Sequence, residues 1–243
     1  MFPIDKLNKE NLMYFFMQLK TDWGYCNKTL SKTRCNINRF LEWCIDNEII
    51  EHNPLARIKF KQTEAPKRDR VVLAKEEVGI LLDELERFDP EALYPAIYLI
   101  AHTGARRSEI LGLEWEDIDF ANGFLTFKNT KNGTHRRVQM ADCVVDFLKN
   151  HPKAGKTVIT NRRGYDLGRG QLHKGLNNFK AQSSLKKDWR PHDLRHSFAY
   201  HFLKDGRKMH QLQAILGHKT IGMTVNLYGQ IKAEDVKNPS PFA

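Results

Sequence analysis

The sequence predicts a mainly α-helical protein with a small β-sheet, organised as two domains. Apolar residues recur at helical spacing throughout the N-terminal region. Asn132-Gly133 separates two short β-prone runs, which is the pattern of a β-hairpin. A basic stretch that contains Pro66 interrupts the helical pattern and is typical of a linker. A chain of 243 residues is long enough to give each of two modest domains its own core.

Two amphipathic helices are predicted at the start of the chain, over residues 5–20 and about 28–47. The second helix has three basic residues on the side opposite its apolar residues, because successive residues are 100° apart. These candidate DNA-binding residues are Lys28, Lys32 and Arg39. The stripe has two interpretations: an ordinary solvated face, or a surface that lies along a DNA groove.

Residues 61–70 are predicted to be a basic linker within a longer basic stretch, residues 57–70. Pro66 resists helix formation and favours an extended chain. Such a connector is either a flexible tether or a segment that crosses a DNA backbone between two domains. Its candidate DNA-binding residues are Lys59, Lys61, Lys67, Arg68 and Arg70.

The second part of the chain combines predicted helices with short strands. Helices are predicted over about 73–87, 92–102 and 142–151, with another opening at residues 105–109. Strands are predicted over 123–128 and 136–140, on either side of Asn132-Gly133, and over 157–160.

The charge distribution indicates a polyanionic partner. The formal net charge is +10. Between residues 153 and 190 the basic residues face only Asp166 and Asp188. Clustered Lys and Arg gain affinity for nucleic acid by releasing phosphate counterions. Within this stretch the candidate DNA-binding residues are Arg162, Arg163, Arg169 and Lys174.

The N-terminal region does not resemble a membrane span or a signal peptide. Its longest early apolar run, residues 12–17, is much shorter than the ~20 residues that a spanning helix needs. Asp5 and Glu10 lie where a signal peptide would be basic and then apolar. We expect a cytoplasmic protein with no membrane partner.

His192 and Arg195 are predicted to lie one turn apart on the same face of a helix. Leu194, Phe198 and Phe202 form an apolar stripe on another face, so the helix is expected to be buried on one side and to present His192 and Arg195 on the other. A histidine and an arginine can together bind and polarise phosphate oxygens.

Four further residues add to this chemistry. Arg106 begins a predicted helix, and Glu109 follows one turn later, where it can orient the guanidinium. His218 follows a glycine that is typical of a helix end. Tyr228 follows ten residues later, and a phenol can attack phosphorus if cationic neighbours or a base assist its deprotonation.

These motifs, taken in order, resemble those of the tyrosine recombinases, the phage integrase and Xer-type family. They are Thr103–Glu109 (TGARRSE), His192–His196 (HDLRH), Leu216–His218 (LGH) and Tyr228. The resemblance covers nearly the whole chain and implies four regions. These are a helical core-binding domain over 1–60, the linker over 61–70, a mixed α/β catalytic domain over 71–233 and a C-terminal tail over 234–243.

The resemblance implies a site-specific recombinase, such as a small phage or mobile-element integrase, that acts through a 3′-phosphotyrosyl intermediate. Tyr228 resembles the nucleophile. Arg106, Arg195 and His218 resemble the residues that bind the non-bridging phosphate oxygens, and His192 resembles the general base. No metal and no cofactor is expected.

Lys131, in the predicted hairpin turn, matches the family's lysine general acid, and Lys128 competes with it for that role. Glu109 matches the family's supporting acidic position. The partners that the resemblance implies are double-stranded DNA, further copies of the chain in a tetramer on DNA, and accessory DNA-bending proteins.

Other functions are also consistent with some of these residues. HDLRH is close to a zinc motif, and Glu114, Glu116, Asp117 and Asp119 are candidate Mg²⁺ ligands of a nuclease. A type IB topoisomerase shares the phosphotyrosine chemistry. A catalytically silent DNA-binding regulator on the same scaffold is the non-enzymatic alternative.

Overall fold

The computed structural model describes residues 4, 7–56, 70–128, 135–218, 220 and 222. The chain divides into two compact units, Met1–Asp69 and Arg70–Ala243. The described residues are mostly helical with a small antiparallel sheet, which confirms the predicted fold class.

The elements are numbered in chain order. The helices are α1 (Lys9–Thr21), α2 (Asn27–Asp46), α3 (Lys75–Phe88), α4 (Leu93–Thr103), α5 (Arg107–Leu111), α6 (Asp142–Asn150), α7 (Arg169–Gln182), α8 (Pro191–Lys204) and α9 (Met209–Leu216). The strands are β1 (Ile118–Asp119), β2 (Phe124–Phe127) and β3 (Arg136–Gln139). Among the described residues, no helix has the length and apolar character needed to cross a membrane.

The first unit is built on the apolar faces of α1 and α2. Its buried residues are Leu12, Phe16, Leu19, Leu30, Leu41 and Leu55. Asn8 starts α1 by accepting a 2.8 Å hydrogen bond from the backbone N–H of Asn11. The predicted helical periodicity is therefore confirmed, and the basic stripe of α2 is exposed on the opposite side.

The core of the second unit surrounds α4. This helix is buried on most of its surface and packs against α3, α7 and α8. The chain enters the unit along α8, because the backbone N–H of Leu73 donates to Ser197 Oγ at 2.9 Å, and His201 Nε2 lies 2.8 Å from the Leu73 carbonyl oxygen. These bonds fix the start of the second unit on the helix that carries His192 and Arg195.

The strands form an antiparallel sheet in the order β1, β2, β3 within the described residues. Leu125 pairs with Val138, and both side chains enter the core. The two strands predicted around Asn132-Gly133 are confirmed, while residues 129–134 between them lie outside the described residues.

The predicted strand over residues 157–160 is wrong. Thr157 forms an isolated bridge with Glu114, and Thr160 forms another with Asp166. The segment contacts two different partners within four residues, so no continuous ladder forms. Its β-prone residues contribute to the core instead, since Val158 and Ile159 are fully buried.

Helix α7 was not predicted from the sequence. Arg169 and Lys174 are exposed, and Leu172, Leu176 and Phe179 point to the core. These three residues have the i, i+4, i+7 spacing of an amphipathic helix, which is the signal that identifies it.

Candidate active site

Arg195 lies in the first half of α8 and is almost completely buried, with 2% of its surface exposed. Nη1 donates to the carbonyl oxygen of Gly104 at 2.8 Å, and Nη2 donates to the carbonyl oxygen of Leu216 at 2.7 Å. The prediction that α8 presents this residue outward is wrong, because the ends of α4 and α9 cover it. Arg195 thus joins α8 to the end of α9 and to the end of α4, which lies about ninety residues earlier in the sequence.

Two glycines allow these helix ends to approach so closely. Gly104 ends α4 and Gly217 ends α9, both with φ of +63°, a conformation that favours glycine. A Cβ atom at Gly104 would lie 2.5 Å from Phe198 Cδ1, and one at Gly217 would lie 2.7 Å from Arg136 Cδ. A larger residue at either position would push apart the segments that hold the arginines.

Arg106 and Arg136 share one carboxylate, that of Glu109. Arg106 Nη1 donates to Glu109 Oε1 at 2.9 Å, and Arg136 Nη2 donates to Glu109 Oε2 at 2.5 Å. Burial acts to raise the pKa of Glu109, but the charge of Arg136 and the hydrogen bonds from Arg106 and Arg136 outweigh it and hold that pKa below its ordinary value. Two guanidinium groups paired with one carboxylate leave an excess positive charge here, which favours an anionic ligand.

His218 follows Gly217 and lies beside Arg195. Arg195 Nη2 is 3.2 Å from His218 Nε2. Because the guanidinium is a donor, Nε2 accepts, and the proton of a neutral ring is on Nδ1. Burial lowers the pKa of His218 to about 4, and the charges of Arg195, Arg106 and Arg136 contribute to this shift. His218 is therefore neutral at pH 7.

His192 lies at the exposed start of α8, and its ring contacts that of His196 edge to face at 4.6 Å. Loss of water contact lowers the pKa of His192, and the charges of Arg195 and Arg106 add to this effect. A histidine with a lowered pKa is unprotonated at neutral pH and available to accept a proton.

The structure thus brings together residues from three separate motifs. Arg106 Nη1 is 3.9 Å from the position of a Cβ atom at Gly217, and Arg195 contacts His218 directly. Lys131 and Tyr228 lie outside the described residues. Arg136 was not singled out from the sequence. The signal that identifies it is strand alternation, which places Arg136 on the same face of β3 as the buried Val138.

The sequence model of the phage integrase family matches residues 71–235, which is more than half of the chain. The chain belongs to the phage integrase family. This confirms the resemblance found in the sequence motifs. The matched residues include every motif of the second unit, from Thr103 to Tyr228.

The chain is also similar in sequence to curated tyrosine recombinases. The tyrosine recombinase XerD of Staphylococcus saprophyticus is 29% identical over 231 residues, covering 89% of this chain and 76% of the relative. XerD of Oceanobacillus iheyensis is 28% identical over 235 residues, covering 90% and 77%.

The fold of this integrase-family chain is similar to that of two solved integrases. One is the Tn1549 transposon integrase in complex with a circular intermediate DNA, with a TM-score of 0.71, 21% identity and coverage of 96% of this chain and 84% of that one. The other is a lambda integrase tetramer bound to a Holliday junction, with a TM-score of 0.68, 21% identity and coverage of 89% and 66%.

A cleft of about 710 Å³ adjoins the site of this family member. Arg106 and Glu109 line one part of it, and Lys128 and Arg169 line another. Lys128 Nζ lies 2.7 Å from Glu116 Oε1 and 2.5 Å from Asp117 Oδ1. Its hydrogen bonds to Asp117 and Glu116 raise the pKa of Lys128.

The candidate DNA-binding residues fall into two groups, those that the structure describes and those that lie outside the described residues. Those that the structure describes are exposed, namely Lys28, Lys32, Arg39, Arg70, Arg162, Arg163, Arg169 and Lys174. Those outside the described residues are Lys59, Lys61, Lys67 and Arg68. Part of the basic density between residues 153 and 190 has an internal explanation, because Lys156 pairs with Glu114 and Lys187 pairs with Glu77.

The metal-dependent alternatives find no support among the described residues. Within them, no group of three or more His, Cys, Asp or Glu side chains is placed to hold a metal ion. The acidic residues proposed as Mg²⁺ ligands are each paired with a cation: Glu114 with Lys156, Glu116 and Asp117 with Lys128, and Asp119 with Arg137.

The two buried histidines predict that acid destabilises the second unit. Burial lowers the pKa of both His196 and His218 to about 4, against about 6.5 in an unfolded chain. Between these values the unfolded state binds more protons, so this stability is complete above about pH 6.5 and is lost as the pH falls. We expect a loss of about 2 kcal/mol for each histidine between pH 7 and pH 5, measured by urea unfolding.

The His196→Gln variant is the control for this pH dependence. It removes one titrating ring, so the decrease in the free energy of unfolding between the two pH values should shrink by about 2 kcal/mol. An unchanged decrease would show that other groups cause the acid sensitivity.

Proposed function

We propose that this protein is a site-specific DNA recombinase that cleaves and rejoins strands through a 3′-phosphotyrosyl intermediate. The observation that carries the proposal is the convergence of Arg106, Arg195 and His218, which come from three separate motifs. Guanidinium groups suit phosphate, because their planar donors match its oxygens. The family membership of the chain supports the same conclusion.

In the proposed reaction Tyr228 Oη bonds to the scissile phosphorus as the bond to the 5′-oxygen breaks. His192 accepts the phenol proton, and its lowered pKa keeps it neutral for this role. Arg106 and Arg195 stabilise the charge that develops on the non-bridging oxygens, as the donors of an oxyanion hole do. The phosphotyrosyl bond conserves the energy of the broken bond, so a new 5′-hydroxyl can reverse the step without ATP.

His218 is proposed to donate a hydrogen bond to the bound phosphate. In the DNA-free protein its Nε2 accepts from Arg195. A phosphate oxygen between them offers an acceptor to both groups, and its negative charge offsets the neighbouring arginines that disfavour a protonated ring. Binding of the scissile phosphate is therefore expected to reorganise this pair.

The general acid is proposed to be Lys131 rather than Lys128. The ammonium of Lys128 is held between two carboxylates, and they raise its pKa. Releasing its proton to a 5′-oxygen would leave both carboxylates without their cation. This ion pairing disfavours Lys128 as the general acid, and the match of Lys131 to the family motif supports the proposed assignment.

The proposed partners are double-stranded DNA and further copies of the chain. The similar Tn1549 integrase was solved with DNA, and the similar lambda integrase was solved as a tetramer on a Holliday junction. The exposed basic residues supply the charge for backbone contacts. Accessory DNA-bending proteins are a further proposed class of partner.

Covalent capture of DNA tests the proposal. Protein is incubated in EDTA with a plasmid that carries the gene and its flanking DNA, and the mixture is then denatured in detergent. We expect recovered DNA to be joined to Tyr228 through a 3′-phosphate, with a free 5′-hydroxyl on the other fragment. Peptide mapping identifies the attached residue, and sequencing of the DNA identifies the cleavage site.

Other outcomes point to the alternatives. Binding without any adduct indicates a silent regulator, and cleavage that EDTA abolishes indicates a metal-dependent nuclease. A topoisomerase relaxes a supercoiled plasmid with one cleavage site, whereas a recombinase rearranges DNA only when two sites are present.

A further inference from the structure

Arg136 connects two of the segments that hold the candidate site, the start of α5 and the end of α9, to the β-sheet. It is the first residue of β3, and 8% of its side chain is exposed. Nη2 donates to Glu109 at 2.5 Å, and Nη1 donates to the carbonyl oxygen of Ile215. The guanidinium also lies over the ring of Phe127 on β2, with Cζ 4.5 Å from the ring centroid.

Arg136 also packs closely against Gly217, at the end of α9. A Cβ atom at Gly217 would lie 2.7 Å from Arg136 Cδ and 3.0 Å from Arg136 Nε. The aliphatic part of Arg136 therefore packs directly on the turn that precedes His218. A shorter or branched side chain at position 136 leaves this turn without support.

Arg137 is a natural comparison for Arg136. It also pairs with a carboxylate, that of Asp119 at 3.1 Å, and it also lies over an aromatic ring, that of Phe124 at 4.5 Å. However, 55% of its side chain is exposed, and these contacts lie away from Glu109 and His218. The two adjacent residues have the same chemistry and differ in whether they reach the site.

We propose that Arg136 is a positioning residue that holds Glu109 against Arg106 and supports the turn that carries His218. This inference rests on the proposed strand-cleavage function. Arg136 acts on the phosphate-binding groups rather than on the phosphate itself. A supporting residue of this kind typically changes activity 10- to 100-fold when it is removed.

The test compares Arg136→Met with Arg137→Met on a suicide duplex that contains the cleavage site. Methionine retains length and removes the charge and donors. We expect Arg136→Met to form the covalent adduct about 10- to 100-fold more slowly than the wild type. We expect Arg137→Met to remain within a few-fold of it, with similar DNA affinity in both variants. Removing one partner of the buried pair with Glu109 is expected to lower the thermal midpoint of Arg136→Met, so the rates are compared at a temperature below both midpoints.

A second substrate separates positioning from general damage. Replacing one non-bridging oxygen of the scissile phosphate by a methyl group removes the charge that the arginines stabilise. If Arg136 acts through these groups, the ratio of the wild-type rate to the Arg136→Met rate is smaller on this methylphosphonate than on the phosphate substrate. A smaller fraction of folded enzyme would lower both rates by the same factor and would overturn the inference.

Coupling to Glu109 provides a further check. The double variant Arg136→Met with Glu109→Gln should be little slower than the worse single variant, because both changes break one chain of contacts. Additive losses would contradict the inference. If Arg136→Met does not fold, Arg136→Lys replaces it in the test. Lysine retains the charge but cannot reach both Glu109 and Ile215, so we expect a rate of adduct formation between those of a full loss and the wild type. A wild-type rate would overturn the inference. Absence of adduct in the wild type would instead refute the proposed function.

Discussion

Tyr228→Phe is expected to abolish the covalent protein–DNA adduct while DNA binding is retained. Phenylalanine preserves the ring and removes only the oxygen that would bond to phosphorus. Removing a nucleophile from a covalent mechanism typically costs roughly 10⁴-fold or more in rate. Adduct formation on a suicide duplex, separated under denaturing conditions, measures this loss directly.

The controls for Tyr228→Phe are the affinity for the same duplex and the thermal midpoint, which should both match the wild type. Tyr165 is a matched control, because its side chain is exposed and lies in a loop of the second unit. Tyr165→Phe should form adduct at the wild-type rate. An adduct that persists in Tyr228→Phe would mean that another residue is the nucleophile.

Lys131→Ala is expected to slow adduct formation by about 10²- to 10⁴-fold, the usual contribution of a general acid or base. The same change at Lys128 should leave the rate within an order of magnitude, since that amine is already paired with Glu116 and Asp117. Single-turnover cleavage of the suicide duplex measures both variants.

A substrate with a sulfur atom in place of the bridging 5′-oxygen tests the role of Lys131 specifically. A thiol has a pKa near 8.5, so a thiolate leaves without a proton donor. Lys131→Ala should then cleave at nearly the wild-type rate. If the variant stays slow on this substrate, the lysine serves another role, such as phosphate binding. If Lys128→Ala is instead the variant that is slow on the oxygen substrate and fast on the sulfur substrate, Lys128 is the general acid and Lys131 is not.

Much of the fold could be predicted because its signals are local. The spacing of Leu12, Phe16 and Leu19 identifies α1, and Asn132-Gly133 identifies the hairpin between β2 and β3. Helix α7 has an equally local signal, but the high charge of its stretch of sequence was interpreted as a DNA-binding feature and no helix was predicted there. The segment 157–160 was misassigned because β-prone residues predict a strand only when a continuous partner strand exists, and the partners of Thr157 and Thr160 are in different places.

The candidate site was predictable in its residue types but not in its geometry. Ordered motifs singled out Arg106, Arg195 and His218, and the structure brings the three together. Arg136 was not predicted, because strand alternation places it on the inner face with Val138 but does not specify which groups it contacts there. Arg136 and Arg137 lie side by side in β3, and alternation along the strand sends one toward Glu109 and the other to solvent.

The sequence by itself determined the family, most of the helices, the two strands β2 and β3 and the order of the candidate catalytic residues, since each of these depends on patterns within short stretches of chain. Only the tertiary structure decided that Arg195 is buried against Gly104 and Leu216 and that Lys128 is neutralised by two carboxylates. It also placed Arg136 between Glu109 and the turn before His218. Burial and ion pairing depend on which distant segments fold against each other, and no local pattern specifies that.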